Sequence, residues 1–169
     1  TGRTPTPVFR RRRTRQALRI TDAPTSTARR TRVSAHGLCV QGGGLLLVRL
    51  SAGLADAGRW TLPGGGLDWG EHPAEALRRE LYEETGLTGE VGPIAGVFSD
   101  TFRLGPTREG DELHFLSVVY SVTPAAGDLV HEADGSTDLA AWVPLGEVAG
   151  VPLVPLARFG LSLLGRPPA

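Results

Sequence analysis

Glu80, Glu83 and Glu84 stand at i, i+3 and i+4 within the stretch 62–87, which reads LPGGGLDWGEHPAEALRRELYEETGL. On a helix this spacing projects three carboxylates from one face. Like charges so placed repel one another, and near a helix C-terminus they also oppose the helix dipole. Stability alone gives no reason for such a cluster. A hard divalent cation removes both penalties, because Mg²⁺ takes oxygen ligands and is commonly held by a few carboxylates together with substrate phosphates. Ahead of the helix, the run Gly64-Gly65-Gly66 lets backbone approach a ligand closely. Trp60 and Trp69 flank that run as candidates to stack a base, against the ordinary alternative of packing the loop.

The elements that must position these groups can be read from periodicity. Residues 73–85 are expected to be a helix, closed by Gly86 just past its end. Leu77 and Leu81, on another face, would pin it to a sheet. His72 falls at the N-cap, where Ser or Thr is usual; this departs from good capping chemistry, though Glu75 can still reach back. Residues 33–40 and 45–50, separated by Gly42-Gly43-Gly44, read as a hairpin. Further strands are expected at 60–62, 91–102, 114–123 and 139–143. An apolar stripe over 153–164 reads as a second helix, with Pro155 in its first turn. This order predicts a mixed sheet covered by helices.

Composition bounds the rest. A chain of 169 residues, 40% apolar and 21% charged, supports one domain with a real core. The zero net charge hides an asymmetry: residues 1–38 carry ten Arg and one acid, residues 39–169 eight Arg and seventeen acids. Residues 1–32 therefore read as a basic Arg-rich arm preceding a domain at 33–169. The arm suits a nucleic acid or another anionic partner, but a solvated tail or subunit-packing arm explains it equally. With only Phe9 among its arginines, nucleic acid is disfavoured as a partner. Oligomeric state is not readable from the residues; a homodimer exchanging this arm is the hypothesis to test. No apolar run is long enough for a membrane span, and the Arg-rich start lacks the apolar core of a secretory signal, so a cytoplasmic protein is expected. Cys39 lies in an apolar run and reads as a buried small hydrophobe. The four histidines have no metal-ligand spacing, and there is neither a phosphate-binding P-loop string nor any lysine.

The spacing around the carboxylates is more specific than their helical placement. From Gly65, five residues lead to Glu71, seven more to Arg79-Glu80-Leu81, and then follow Tyr82, Glu83-Glu84, Thr85, Gly86 and Leu87. This string resembles, at every defined position, the signature of the Nudix hydrolase family, G-x5-E-x7-R-E-U-x-E-E-x-G-U with U a bulky aliphatic. Its flanks, 60–65 and 141–145, are similar to the family's as well. The resemblance implies an α/β fold, an α/β/α sandwich with a mixed central sheet. It further implies Mg²⁺-dependent hydrolysis, with Mn²⁺ as substitute, of a diphosphate linkage in a nucleoside diphosphate derivative, by water attack on phosphorus.

By the same resemblance, Glu80, Glu83 and Glu84 would be the metal-binding carboxylates, with the Gly64 carbonyl as a further ligand. Arg79 would pair with a box glutamate, Glu83 being the expected one, and Glu71 would brace the loop against the helix. Gly65 and Gly86 hold structural positions of the box. For the proton acceptor, Glu132 is the candidate, because related MutT-like enzymes carry such a glutamate before the Trp142 strand; Glu109, Asp111 and Glu112 form a rival cluster. The substrate stays open among nucleoside triphosphates, nucleotide sugars and related diphosphates. The proline pointing to ADP-ribose is absent, residues 102–104 standing in its place. Two other classes remain: a catalytically silent ligand-sensing module, and a hydrolase of capped RNA ends guided by the basic arm. The intact acidic trio weighs against the first.

Overall fold

The computed structural model describes residues 28–104, 111–131 and 135–165. The described residues form β1 (Arg29–Gln41), β2 (Gly44–Leu50), β3 (Trp60–Thr61), β4 (Gly64–Gly66), α1 (Pro73–Thr85), β5 (Gly89–Arg103), β6 (Glu112–Pro124), β7 (Thr137–Pro144) and α2 (Pro155–Leu163), with a 3-10 turn at Val148–Gly150. The strands run in the order β3-β2-β1-β6-β5, with β4 added to β1 and β7 to β2. β1 and β6 are parallel from Arg29↔Glu112 to Cys39↔Val122, while β1–β2, β2–β3, β2–β7, β1–β4 and β5–β6 are antiparallel. The sheet is therefore mixed.

Strand alternation sorts the apolar residues into two layers. Leu45 and Leu47 turn to one face, packing with Leu38, Leu62, Val119, Leu156 and Ala157. Leu46, between them, turns to the other, with Ala35, Cys39, Leu77, Leu81 and Val122. Helix α1 covers the second layer and α2 the first, which makes an α/β/α sandwich. Each fully buried Leu contributes about 1.5–3 kcal/mol, so Leu77 and Leu81, both fully buried, suffice to hold α1 in register on the sheet.

Helix α1 spans the residues expected of it. Pro73 takes the first position, where a missing N–H is harmless. The His72 ring does cap the helix, its Nδ1 accepting from the Ala74 N–H at 3.2 Å; an imidazole nitrogen serves where a hydroxyl was expected. Gly86 closes the helix at φ 71°, and a Cβ there would meet Val130 at 2.9 Å.

Other boundaries moved for identifiable reasons. β1 begins at Arg29 rather than Val33, because the parallel ladder to β6 recruits a polar segment with no strand signal of its own. β4 was not foreseen: three glycines have poor strand propensity and pair here only because the edge of β1 offers partners, Ser34↔Gly66, Ala35↔Gly65 and His36↔Gly64. Helix α2 starts at Pro155 and not at residue 153, since Val154 is extended (φ −73°, ψ 162°), as a residue before proline prefers.

Candidate functional site

Helix α1 lies with its C-terminal half against β4, and the box carboxylates follow an arc around it. Glu84 is buried at 2% exposure, on the same side as Leu77 and Leu81 rather than on a separate face. Its Oε2 accepts from the Gly64 N–H at 2.8 Å. The Glu80 side chain, 17% exposed, lies against the next residue: a Cβ on Gly65 would stand 2.5 Å from the Glu80 carboxyl carbon. The Glu83 side chain is 47% exposed and turns toward solvent. Two carboxylates thus rest on consecutive glycines; a side chain on Gly64 would meet the backbone of Ala35 and His36, and one on Gly65 would displace the Glu80 carboxyl group.

Arg79 ties the loop to the helix. Its Nε and Nη2 donate to the two oxygens of Glu71 at 3.0 and 2.9 Å, a bidentate pair. Nη1 donates to Glu80 at 2.8 Å and to Glu83 at 3.3 Å, and Nη2 also reaches the Gly66 carbonyl at 3.1 Å. The expected Arg79–Glu83 pair is therefore the longest of these contacts. Glu71 is the principal partner, because the loop folds back to offer both of its oxygens to the guanidinium fork. Glu71 also accepts from the Asp68 N–H at 2.9 Å. The hydrogen bonds from Arg79, and then that from Asp68, hold the Glu71 carboxyl below its ordinary range. The same contacts, Glu71 first and Glu80 second, raise Arg79 further.

Two cavities flank β4. The larger, about 820 Å³, is lined by Arg30, Arg32, Trp69, Glu71, Arg79 and Glu80, among others. The smaller, about 350 Å³, includes Glu84, Gly64, His36, Phe98, Phe102 and Phe115. Arg32, Gly66 and Leu113 border both. His36 is buried, with Nδ1 2.8 Å from the Ser117 hydroxyl and its ring edge-on to Phe115. Burial, helped by Arg32, holds its pKa down at about 3, so the ring is neutral at neutral pH.

Several expected residues stand elsewhere. Trp60 is half-buried and packs against the core, so it lines neither cavity; Trp69 is fully exposed at the mouth of the larger one. Asp111 accepts from the Ala28 N–H at 2.9 Å and Glu112 pairs with Arg29 at 2.9 Å. Both fasten the start of β1 to β6 and are not in the carboxylate cluster. Glu132 and Glu109 lie outside the described residues. Cys39 is fully buried and its thiol is pushed up to about 12 by that burial, so it is no nucleophile. Sequence reasoning missed Arg32, His36 and the trio Phe98, Phe102 and Phe115. No local signal pointed to Arg32, which joins β1 through the ladder to β6; once the strand is set, Arg30, Arg32, Ser34 and His36 share one face.

In kind, the donor set fits a divalent cation: anionic and carbonyl oxygens, with the Glu80 carboxyl group occupying the space that a Cβ on Gly65 would fill. Among the described residues, however, no three His, Cys, Asp or Glu side chains converge as a chelating group. The physical reason lies in the contacts above. Arg79 draws Glu80 and Glu83 toward itself while Gly64 holds Glu84, which relieves the mutual repulsion of three like charges.

The NUDIX domain profile matches residues 28–160. A MutT-like protein of Streptomyces ambofaciens is 32% identical over 118 residues, 69% of this chain and 66% of its own length. Human diphosphoinositol polyphosphate phosphohydrolase 3-alpha is 50% identical over 40 residues, 24% of each chain. The chain thus spans just under two thirds of the first relative and about a quarter of the second. The MutT NUDIX hydrolase of Burkholderia pseudomallei superposes with a TM-score of 0.67 at 26% identity, covering 80% of this chain and 98% of that one. No helix among the described residues is long and apolar enough to cross a membrane.

Proposed function

The chain belongs to the NUDIX family, and from that premise we propose that it is a pyrophosphohydrolase splitting the diphosphate linkage of a nucleoside diphosphate derivative with Mg²⁺. One observation carries this reading. Inside a complete signature, the Glu84 and Glu80 carboxylates lie against the consecutive glycines Gly64 and Gly65. Glu80, Glu83, Glu84 and the Gly64 carbonyl would hold the cation, which supplies charge neutralisation at the diphosphate and a more acidic water.

The chain's own groups do the rest. The Gly64 N–H fixes the direction of the Glu84 carboxylate, and Nη1 of Arg79 gathers Glu80 and Glu83 on one cationic nitrogen. Glu71 locks Arg79 and the 68–71 loop together, so that the loop and helix move as one piece. Neutral His36, with the three phenylalanines, lines the apolar compartment behind Glu84 and suits an uncharged moiety of the substrate. We assign acceptance of the proton from the attacking water to Glu132, on the strength of its position in the sequence alone.

The test is Glu84→Gln, assayed by chromatography of the nucleoside monophosphate released from a panel of nucleoside diphosphate derivatives with Mg²⁺ or Mn²⁺. Gln keeps an acceptor for the Gly64 N–H, so folding should survive while kcat falls at least about 10²-fold. Near-normal turnover would contradict the assignment. We further assign the Arg-rich start to an appendage of the catalytic unit. Deleting residues 1–27 should leave turnover of small nucleotides unchanged, and loss of it would overturn that assignment.

A further inference from the structure

One face of β1 carries Arg30, Arg32, Ser34 and His36 in alternation, because residues two apart point to the same side of a strand. The inner end of this stripe is accounted for. His36 meets Ser117, and the Ser34 hydroxyl donates to the Leu116 carbonyl at 3.2 Å. Its outer end is not. Ion pairs among the described residues take up Arg29, Arg49, Arg59 and Arg79; Arg30 and Arg32 enter none of them. Both line the 820 Å³ cavity that also holds Glu80. Arg32 lies across Gly66, where a Cβ would stand 3.1 Å from its guanidinium Nη2, and so borders both cavities. Asp68, Glu71 and Glu80 are the carboxylates lining the larger cavity; Arg79 engages Glu71 and Glu80, and the Asp68 backbone N–H donates to Glu71.

We propose that Arg30 and Arg32 form an anion subsite that selects substrates carrying phosphoryl groups beyond the diphosphate that is cut. This inference rests on the reading of the box as the diphosphate site. A guanidinium matches phosphate oxygens with its planar fork and stays charged at any working pH. Two of them in line along β1, on the Glu80 side of β4, provide for a phosphate-rich tail where a nucleotide sugar offers only hydroxyls. Arg29 does not belong to this subsite. It faces the other way and pairs with Glu112.

The experiment compares the full chain with Arg30→Gln/Arg32→Gln and with Arg29→Gln, each first checked for an unchanged melting temperature. Binding of tripolyphosphate and of pyrophosphate is measured by calorimetry in metal-free buffer, which reads the subsite without turnover. Tripolyphosphate should bind about tenfold or more weaker to the double variant, with a smaller loss for pyrophosphate and less than a twofold change in Arg29→Gln. In turnover with Mg²⁺, kcat/KM for diadenosine tetraphosphate should fall by a similar factor while that for ADP-glucose is held. Inositol hexakisphosphate serves as a second probe: tighter binding than tripolyphosphate assigns the extra charge to a phosphorylated ring, weaker binding to a linear chain. Equal losses for both inorganic probes, an Arg29→Gln effect as large as the double variant's, or no tripolyphosphate binding by the wild type would each overturn the subsite. Absence of any turnover with intact tripolyphosphate binding would instead refute the hydrolase reading and leave the anion site standing.

Discussion

Replacing Gly65 with Ala and, separately, Gly64 with Ala makes the same chemical change at adjacent residues, yet opposite consequences are expected. At Gly65 the three atoms nearest the new methyl would all belong to the Glu80 carboxyl group, at 2.5 to 2.7 Å. That group is the far end of a flexible side chain, so Glu80 swings away and the fold is spared. The swing breaks the 2.8 Å pair with Arg79, a partly exposed ion pair contributing at most about 1 kcal/mol. Losing a glycine returns about 0.4–1 kcal/mol by restricting the unfolded chain, so the net change in stability should stay within about 1 kcal/mol. Activity should behave differently: if Glu80 holds the cation as proposed, displacing its carboxylate by an ångström or more should reduce turnover about 10²-fold. At Gly64 the methyl would collide with the Ala35 carbonyl oxygen and with the His36 Cα at 2.7 Å, at a φ of 131° that side-chain-bearing residues avoid. Backbone cannot swing aside, and the unfavourable φ alone costs about 1–3 kcal/mol, so this variant should lose well over that. The assay is urea unfolding of both variants beside kcat with the best substrate of the panel. Full activity in Gly65→Ala, or a stability loss in it as large as in Gly64→Ala, would refute the placement of Glu80.

Three shorter predictions follow from other parts of the molecule. The native state keeps His36 unprotonated down to about 3, while an unfolded histidine titrates near 6.5. Between those values the unfolded chain binds the extra proton, so this contribution is whole above pH 6.5 and erodes by up to about 1.4 kcal/mol per unit as pH falls toward 3. His36→Gln should flatten that acid limb in urea melts at pH 4 to 7, and an unchanged slope would contradict the burial argument. Leu77→Ala should cost about 2–5 kcal/mol, because Leu77 is fully buried between α1 and the sheet; a loss under 1 kcal/mol in thermal unfolding would mean α1 is held by something else. Glu132→Gln should cut kcat about 10²–10⁴-fold and remove the acid limb of its pH profile while leaving KM unchanged, and a wild-type profile would place the proton acceptor elsewhere.

What could be read from residues alone was what local rules decide. Helix α1 is specified by Pro73, the Leu77/Leu81 stripe and Gly86, all local, and its ends match. Gly42 and Gly43, at φ 58° and 79°, make the tight hairpin turn that their positions announce. The carboxylates of the box were legible because their spacing makes no sense as a stability device. Long-range pairing hid the rest. Residues Arg29–Arg32 carry no strand pattern and enter β1 through β6, 83 residues away in sequence. The Arg79 fork found Glu71 because the 68–71 loop doubles back, which helical spacing cannot report. Trp60 had composition in its favour as a stacking residue, but the bonds from Trp60 N–H to Pro152 O and from Val154 N–H to Trp60 O draw it into the core.

Arg79 and Gly64 relieve the repulsion among Glu80, Glu83 and Glu84 when no cation is bound, and a cation is proposed to do so when substrate arrives. A crystal structure of the full chain with Mg²⁺ and a non-hydrolysable diphosphate analogue tests this directly. It should show the ion ligated by those three side chains, drawn away from Nη1 of Arg79, with phosphate oxygens completing its shell. An ion seated at another part of the molecule, with Glu80 and Glu83 still on Arg79, would contradict it.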